Sequence, residues 1–124
     1  MISVCLVDDQ NLVRQGVRSL LDLAEDIRVV AECADGAQAV LEVPRIKPDV
    51  MLLDLRMPNM SGLEVLQALS ARNELPPTII LTTFDDDQLV LQGLKAGARG
   101  YLLKDVSLEQ LVEAVRTVAA GGSL

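Results

Sequence analysis

The stretch Val50-Met51-Leu52-Leu53-Asp54 is a short apolar run that ends in a carboxylate. Three other apolar runs end in polar side chains in the same way: residues 2–7 before Asp8 and Asp9, residues 78–81 before Thr82, and residues 100–103 before Lys104. Apolar runs of this length between helical patterns are typical of buried parallel strands. Because ligands bind outside the carboxyl ends of such strands, we expect these polar side chains to meet at one edge of a sheet.

Strand-like and helix-like patterns alternate along the whole chain, with one more strand at residues 27–33. The helical patterns cover residues 10–24, residues 36 to about 46, a segment that begins after Ser61 and includes Leu69, roughly residues 86–96, and a segment from Ser107 to the Gly121-Gly122 pair. In the first pattern the apolar residues fall on one face, which is expected to pack inward: Val13, Val17, Leu20, Leu21 and Ala24. Such alternation predicts an α/β fold, in which right-handed crossovers put helices on both faces of a parallel sheet. We predict a (βα)5 flavodoxin-like doubly wound sheet with five parallel strands in the order 2-1-3-4-5.

Local signals predict where some helices begin and how they pack. Ser61 with Glu64, and Ser107 with Gln110, have the spacing of a capping box at a helix start. Gly93 lies inside the fourth helical pattern, where glycine costs about 1 kcal/mol relative to alanine. Two explanations are open for this glycine: a close contact with a neighbouring element, or a helix built to move.

Composition excludes several classes of function. The 124 residues form one domain with a formal net charge of −7, which argues against direct DNA binding by this segment. There is no histidine, so histidine catalysis and histidine metal ligation are excluded. Cys5 and Cys33 lie in apolar runs and are expected to be free core thiols. No apolar stretch reaches the ~20 residues of a membrane span, and no signal peptide is recognisable, so we expect a cytoplasmic protein without a membrane segment.

The acidic residues at the strand ends predict a metal site. Two carboxylates ~5 Å apart repel by about 3 kcal/mol at an effective dielectric of about 20. Asp8, Asp9 and Asp54 together therefore favour a bound cation. With oxygen donors and no histidine or nearby thiolate, the donor set suits Mg²⁺ or Mn²⁺.

The remaining strand-end residues predict phosphoryl chemistry. Asp54 is expected at the centre of the sheet, between the acidic pair on one side and Thr82 and Lys104 on the other. A lysine supplies a point charge for a phosphate, and a threonine supplies a hydroxyl donor. Asp54 is therefore the predicted nucleophile, and its attack on phosphorus gives an aspartyl phosphate.

Over essentially all 124 residues the chain resembles the receiver (CheY-like) domain of two-component response regulators. The matching pieces are Val7-Asp8-Asp9, Leu53-Asp54-Leu55-Arg56-Met57-Pro58, Ser61-Gly62, Leu81-Thr82-Thr83 and residues 96–104. Val13-Arg14-Gln15-Gly16, residues 97–105 and the closing Ala120-Gly121-Gly122-Ser123 are more similar to the NarL/LuxR-type branch.

The resemblance implies a phosphoacceptor in signal transduction rather than an enzyme acting on a separate substrate. It implies phosphoryl transfer from a sensor histidine kinase to Asp54, with the domain assisting its own phosphorylation and dephosphorylation. It implies Mg²⁺ held by the side chains of Asp9 and Asp54 and the backbone carbonyl of Arg56, with Asp8 acting through water. Thr82 and Tyr101 become the conformational switch.

In this branch a helix-turn-helix DNA-binding domain normally follows the receiver. The resemblance therefore implies that residues 1–124 are a receiver domain whose DNA-binding domain is absent here, so that DNA is contacted only through that domain. A phosphorylation-dependent homodimer is expected. Phe84, two residues after Thr82, is bulky and is predicted to affect water access to the phosphate.

Three other functions compete with this interpretation. An aspartate-nucleophile phosphohydrolase needs a second acid two residues after its nucleophile, but Gln10 follows Asp8 and Arg56 follows Asp54 at that spacing. A flavodoxin-like FMN binder needs a Ser/Thr/Gly-rich loop after the first strand, whereas residues 8–11 are acidic and polar. A receiver that acts only as a phosphorylation-independent interaction module is the third alternative, and the complete acidic site argues against it.

Overall fold

The computed structural model describes residues 1–83 and 86–124. In these residues it has five strands, β1 (Ile2–Val7), β2 (Ile27–Cys33), β3 (Val50–Asp54), β4 (Thr78–Thr82) and β5 (Gly100–Leu103). Five helices alternate with them: α1 (Asn11–Leu21), α2 (Gly36–Ile46), α3 (Gly62–Ala71), α4 (Asp87–Lys95) and α5 (Leu108–Ala119). The strands are parallel in the order β2-β1-β3-β4-β5, which confirms the predicted topology.

The register of the sheet brings the strand ends level with one another. Val7 of β1 lies opposite Leu53 of β3, and Asp54 lies opposite Leu81 of β4. Thr82 in turn lies opposite Leu103 of β5. The residues that follow these positions therefore leave the sheet at the same edge, which is why the polar strand-end residues are close in space.

Two apolar layers cover the sheet, one on each face. One layer packs the sheet against α1 and α5 through residues such as Val4, Leu6, Leu52, Ile79, Leu111 and Val115. The other packs it against α2, α3 and α4 through residues such as Val7, Leu53, Leu66, Ile80 and Val90. Alternate residues of the central strands belong to opposite layers, because successive side chains of a strand point to opposite faces.

Both predicted capping boxes are present. The Ser61 side chain accepts from the backbone N–H of Glu64, and the Ser107 side chain accepts from that of Gln110, with the reciprocal bonds also formed. Helix α1 is shorter than predicted, because it ends at Leu21. Leu20, which the helical period placed on the inner face of α1, is instead exposed.

The close-contact explanation of Gly93 fits the structure. A Cβ atom added at Gly93 would lie 2.5 Å from Cδ1 of Ile80 and 3.5 Å from Cδ1 of Leu66. An added side chain would therefore require the Ile80 side chain of β4 to shift, and the glycine lets α4 approach the sheet without that change.

Cys5 and Cys33 are free and buried, as predicted. Their thiols interact across β1 and β2, and the hydrogen bond to Cys33 together with burial raises the pKa of Cys5 far above its usual value. Among the described residues no helix is both long and apolar enough to cross a membrane. The predicted role of Phe84 concerns a residue outside the described part of the chain.

Candidate functional site

Three carboxylates meet at the carboxyl edge of the sheet, as the sequence predicts. Asp8 and Asp9 follow β1, and Asp54 ends β3. One carboxylate oxygen from each of the three lies within 4.8 Å of the others. Asp8 and Asp54 are each only 4% exposed, so two of the three charges are largely removed from water.

The Asp8 carboxylate is incompletely satisfied, which fits a cation. Its Oδ1 accepts from the backbone N–H of Gln10 at 2.8 Å. Its Oδ2 is buried without a hydrogen-bond partner, and the nearest cation, Nζ of Lys104, lies 3.6 Å away, beyond hydrogen-bond distance. An orphaned buried oxygen beside two other carboxylates, with oxygen donors only, matches the donor set that Mg²⁺ prefers.

Lys104 donates a hydrogen bond to the predicted nucleophile, Asp54. Its Nζ is 3.1 Å from Oδ2 of Asp54 and 3.3 Å from Oε1 of Gln10. The other Asp54 oxygen, Oδ1, accepts from the backbone N–H of Arg56 at 3.2 Å. Each carboxylate oxygen of Asp54 thus accepts one hydrogen bond. Through the bond to Oδ2, Asp54 connects the acidic cluster to Lys104.

Burial raises the pKa of Asp54 above its usual value. Lys104 opposes this effect, and the charge of Asp8 adds to it. Three carboxylates meet here, whereas Lys104 contributes a single positive charge. The site therefore holds an excess of negative charge, which a divalent cation would relieve.

Thr82 is at the expected strand end, but its hydroxyl is engaged elsewhere. Thr82 is 2% exposed, and its Oγ1 lies 3.0 Å from the carbonyl oxygen of Thr83 and 3.2 Å from Oδ2 of Asp86. Asp86 also receives a bond from the Thr83 hydroxyl at 3.3 Å and pairs with the guanidinium of Arg56. This guanidinium holds the pKa of Asp86 below its usual value.

Tyr101, the predicted partner of Thr82, points outward and is 48% exposed. A surface cavity of about 360 Å³ lies between Tyr101 and Thr82. It is lined by Thr82, Thr83, Asp87, Val90, Leu91, Leu94, Tyr101 and Leu103. The space between the tyrosine and the threonine is therefore open and mostly apolar, and it is large enough to receive an aromatic ring.

Comparison with known proteins decides the family. A family model described as "Response regulator receiver domain" matches residues 4–116. The chain belongs to this family. The receiver domain is similar to the nitrate/nitrite response regulator protein NarP of Escherichia coli, with 47% identity over 121 residues that cover 98% of this chain and 56% of NarP. It is 40% identical over 122 residues to the transcriptional regulatory protein LnrK of Bacillus subtilis, covering 98% of this chain and 56% of LnrK.

Solved structures agree with the fold of this receiver domain. The signal receiver domain of response regulator NarL from Mycobacterium tuberculosis has a TM-score of 0.90 and 38% identity, with 97% of each chain covered. The response regulator domain of Thermotoga maritima CheB has a TM-score of 0.88 and 26% identity, again with 97% of each chain covered. The chain spans about half the length of the curated relatives it matches.

Three residues contribute to the site in ways that sequence reasoning did not identify. Gln10 contacts Lys104, and Arg14 donates to the carbonyl oxygen of Asp8 at 2.6 Å while also pairing with Glu32 of β2. Asp86 accepts from Thr82. Arg14 had a usable signal, because it lies one helical turn after the acidic loop. Asp86 had no such signal in the sequence, because an acidic residue directly before a helix is normally interpreted as the N-cap residue.

Proposed function

We propose that this receiver domain accepts a phosphoryl group on Asp54 from the phosphohistidine of a sensor histidine kinase. The observation that carries the proposal is the contact of Lys104 with the Asp54 carboxylate, next to Asp8 and Asp9. In the transfer, a bond forms between an Asp54 oxygen and phosphorus while the phosphorus–nitrogen bond to the imidazole breaks. The imidazole leaves with the electron pair of that bond and takes up a proton.

The residues of the site would act mainly by position and charge. Lys104 is close enough to move from the Asp54 carboxylate onto a phosphoryl oxygen, which offsets the charge gained by the acceptor. Arg56 fixes the carboxylate through its backbone N–H. Phosphoryl transfer asks for in-line positioning and charge neutralisation rather than for covalent help from the protein.

Mg²⁺ or Mn²⁺ is the proposed cofactor. Asp9 and Asp54 would bind it through their side chains and Arg56 through its backbone carbonyl, with Asp8 acting through water. The metal supplies charge neutralisation for the carboxylates and the phosphoryl oxygens. The orphaned Oδ2 of Asp8 and the raised pKa of Asp54 support this assignment, since both reflect a local lack of positive charge.

The response to phosphorylation is proposed to be a switch through Thr82 and Tyr101 that promotes a homodimer. The open cavity between these side chains supports the switch, because Tyr101 can turn inward only if such space exists. The same site is proposed to assist hydrolysis of its own phosphoryl group. The name of LnrK, a transcriptional regulatory protein of which this chain covers 56%, supports a role in transcriptional control. The proposed helix-turn-helix domain and cytoplasmic location are consistent with that role.

The phosphohydrolase and the phosphorylation-independent module are not favoured. Arg56, rather than an acid, stands two residues after Asp54, and its side chain pairs with Asp86. A module without phosphoryl chemistry would have no need for three clustered carboxylates and a lysine among them, since buried like charges destabilise a fold.

Acetyl phosphate with Mg²⁺ tests the proposal. Intact-mass measurement should find one added phosphoryl group, labile to hydroxylamine, on the wild type and on the control Asp87→Asn, and none on Asp54→Asn. Full labelling of Asp54→Asn would overturn the assignment of the acceptor, and an unlabelled wild type would overturn the proposed function.

A further inference from the structure

Asp86 has an unusual environment for an acid next to a helix. It is 5% exposed, directly before α4, and its carboxylate accepts from the hydroxyls of Thr82 and Thr83 at 3.2 and 3.3 Å. The guanidinium of Arg56 pairs with the same carboxylate. A buried carboxylate is tolerated only when it is paired and hydrogen-bonded, so these contacts account for its burial.

The ordinary explanation, that Asp86 caps the helix, does not fit. A capping aspartate accepts from the backbone N–H groups of the first turn. The Asp86 side chain makes no such bond to α4, whereas Asp35 at the start of α2 does bond to the backbone N–H of Gln38. The Asp86 carboxylate is instead directed at the end of β4 and at the loop after β3.

Both elements that Asp86 contacts belong to the phosphorylation site. Thr82 is the proposed switch residue, and its hydroxyl has a single hydrogen to donate. Two acceptors are within reach of it, the Thr83 carbonyl oxygen at 3.0 Å and the Asp86 carboxylate at 3.2 Å, and the carboxylate is the charged and therefore stronger acceptor. Arg56 donates its backbone N–H to Oδ1 of Asp54. Asp86 is therefore connected to the acceptor Asp54 through Arg56 and to the proposed switch residue by direct contact with Thr82, although it lies outside the cluster of carboxylates.

We propose that Asp86 is a positioning residue that keeps the Thr82 hydroxyl engaged in the resting domain, so that a phosphoryl group on Asp54 must compete with Asp86 for that hydroxyl. The inference rests on the proposed function, since it needs a phosphoryl group at Asp54. Asp86 then sets how much of the domain is in the resting arrangement, because a ligand shifts a two-state equilibrium only by its differential interaction with the two states.

The arrangement of Arg56 makes the idea testable by substitution. The Arg56 side chain is 66% exposed, so water can solvate its guanidinium when Asp86 is replaced, and no buried charge results. We therefore expect Asp86→Ala to fold. Asp86→Asn is a second variant, which keeps the volume and a neutral acceptor but loses the charge-assisted bonds.

The experiment measures the affinity for beryllofluoride, a phosphoryl mimic, in the presence of Mg²⁺. Asp86→Ala should bind about tenfold more tightly than the wild type, which corresponds to about 1.4 kcal/mol. Asp86→Asn should show a smaller gain of about threefold, because a neutral acceptor holds the hydroxyl less strongly. NMR signals of the Tyr101 ring, from the only tyrosine in the chain, should move toward their beryllofluoride-bound positions in Asp86→Ala before ligand is added.

Two controls separate positioning from simple charge removal. Asp87→Ala deletes a neighbouring exposed negative charge and should change the affinity less than twofold. In a Thr82→Ala background, Asp86→Ala should lose its effect, because no hydroxyl remains to be released. An equal gain in both backgrounds, or no gain from Asp86→Ala and Asp86→Asn, would overturn the inference. If the wild type itself failed to bind beryllofluoride, the proposed function would fall and the inference with it.

Discussion

The two sides of the site differ in whether their side chains already make the contacts that the proposed function requires. On the side of β1 and β3, Asp8, Asp9 and Asp54 are gathered, and Lys104 already contacts the acceptor. On the side of β4, the hydroxyl of Thr82 is directed at Thr83 and Asp86, and Tyr101 lines the cavity but is still 48% exposed. The first side is prepared for phosphoryl transfer, whereas the second has contacts that must break before it can respond.

Under the proposed function, this difference predicts that reaction and response are separable in the receiver domain. Asp54, on the β1 and β3 side, is already in contact with Lys104 before any phosphoryl group arrives, so loss of residues on this side should affect uptake. Residues on the β4 side change partners only afterwards, so their loss should affect the response more than the uptake. Substitutions on each side therefore test the comparison directly.

Apart from loss of the acceptor Asp54 itself, loss of Lys104 should have the largest effect on uptake. Lys104→Ala removes the cation that contacts Oδ2 of Asp54. Removal of one such electrostatic group typically costs about 10²–10³ in rate, so we expect phosphoryl uptake from acetyl phosphate to slow by about 10²-fold. Single-turnover labelling measures this rate.

Lys95→Ala is the matched control for Lys104→Ala, because Lys95 is exposed in the last turn of α4. It should label at the wild-type rate. If the uptake rate of Lys104→Ala were within a few-fold of the wild-type rate, Lys104 would not contribute to the transfer reaction.

Mg²⁺ should stabilise the wild type, and Asp9→Ala should abolish the effect. A ligand at about 100 times its Kd stabilises a fold by about 2.7 kcal/mol. Melting temperature as a function of Mg²⁺ measures the effect, with EDTA as the zero point. Asp87→Ala should keep the shift, and a shift that survives Asp9→Ala would indicate that the metal binds elsewhere, for example at the acidic residues before α4.

Asp54→Asn should be more stable than the wild type in EDTA at neutral pH, by about 1 kcal/mol, a typical size for a single substitution. The folded domain raises the pKa of Asp54 above 3.8, so ionisation of this group destabilises the fold. The advantage of the variant should appear as pH rises through the raised pKa and vanish below about pH 3.8.

Urea unfolding at several pH values measures this difference. Glu74→Gln, on the exposed loop after α3, is the control and should show no such pH-dependent gain. If Asp54→Asn were less stable than the wild type at neutral pH, the attraction of Lys104 would outweigh burial, and the account of the excess negative charge would be wrong.

The sequence predicts the reactive side of the site better than the responding side. Strand order and register follow from hydrophobic patterns. They place Asp8, Asp9, Asp54 and Lys104 at the same edge of the sheet, so this grouping does not depend on the rotamer of any one side chain. The partner of the Thr82 hydroxyl depends on a rotamer and on the loop before α4, and neither leaves a periodic signal. The exposure of Leu20 was missed for a similar reason: the helical period does not fix how far around α1 the neighbouring elements extend.

The most direct test of separability is to measure phosphoryl uptake and self-association together in Thr82→Ala. Uptake from acetyl phosphate should stay within about tenfold of the wild type, the size of effect of one hydrogen bond. Sedimentation of the labelled protein should show dimers for the wild type and mainly monomers for the variant. A variant that lost uptake together with self-association, or that formed dimers as the labelled wild type does, would contradict the account.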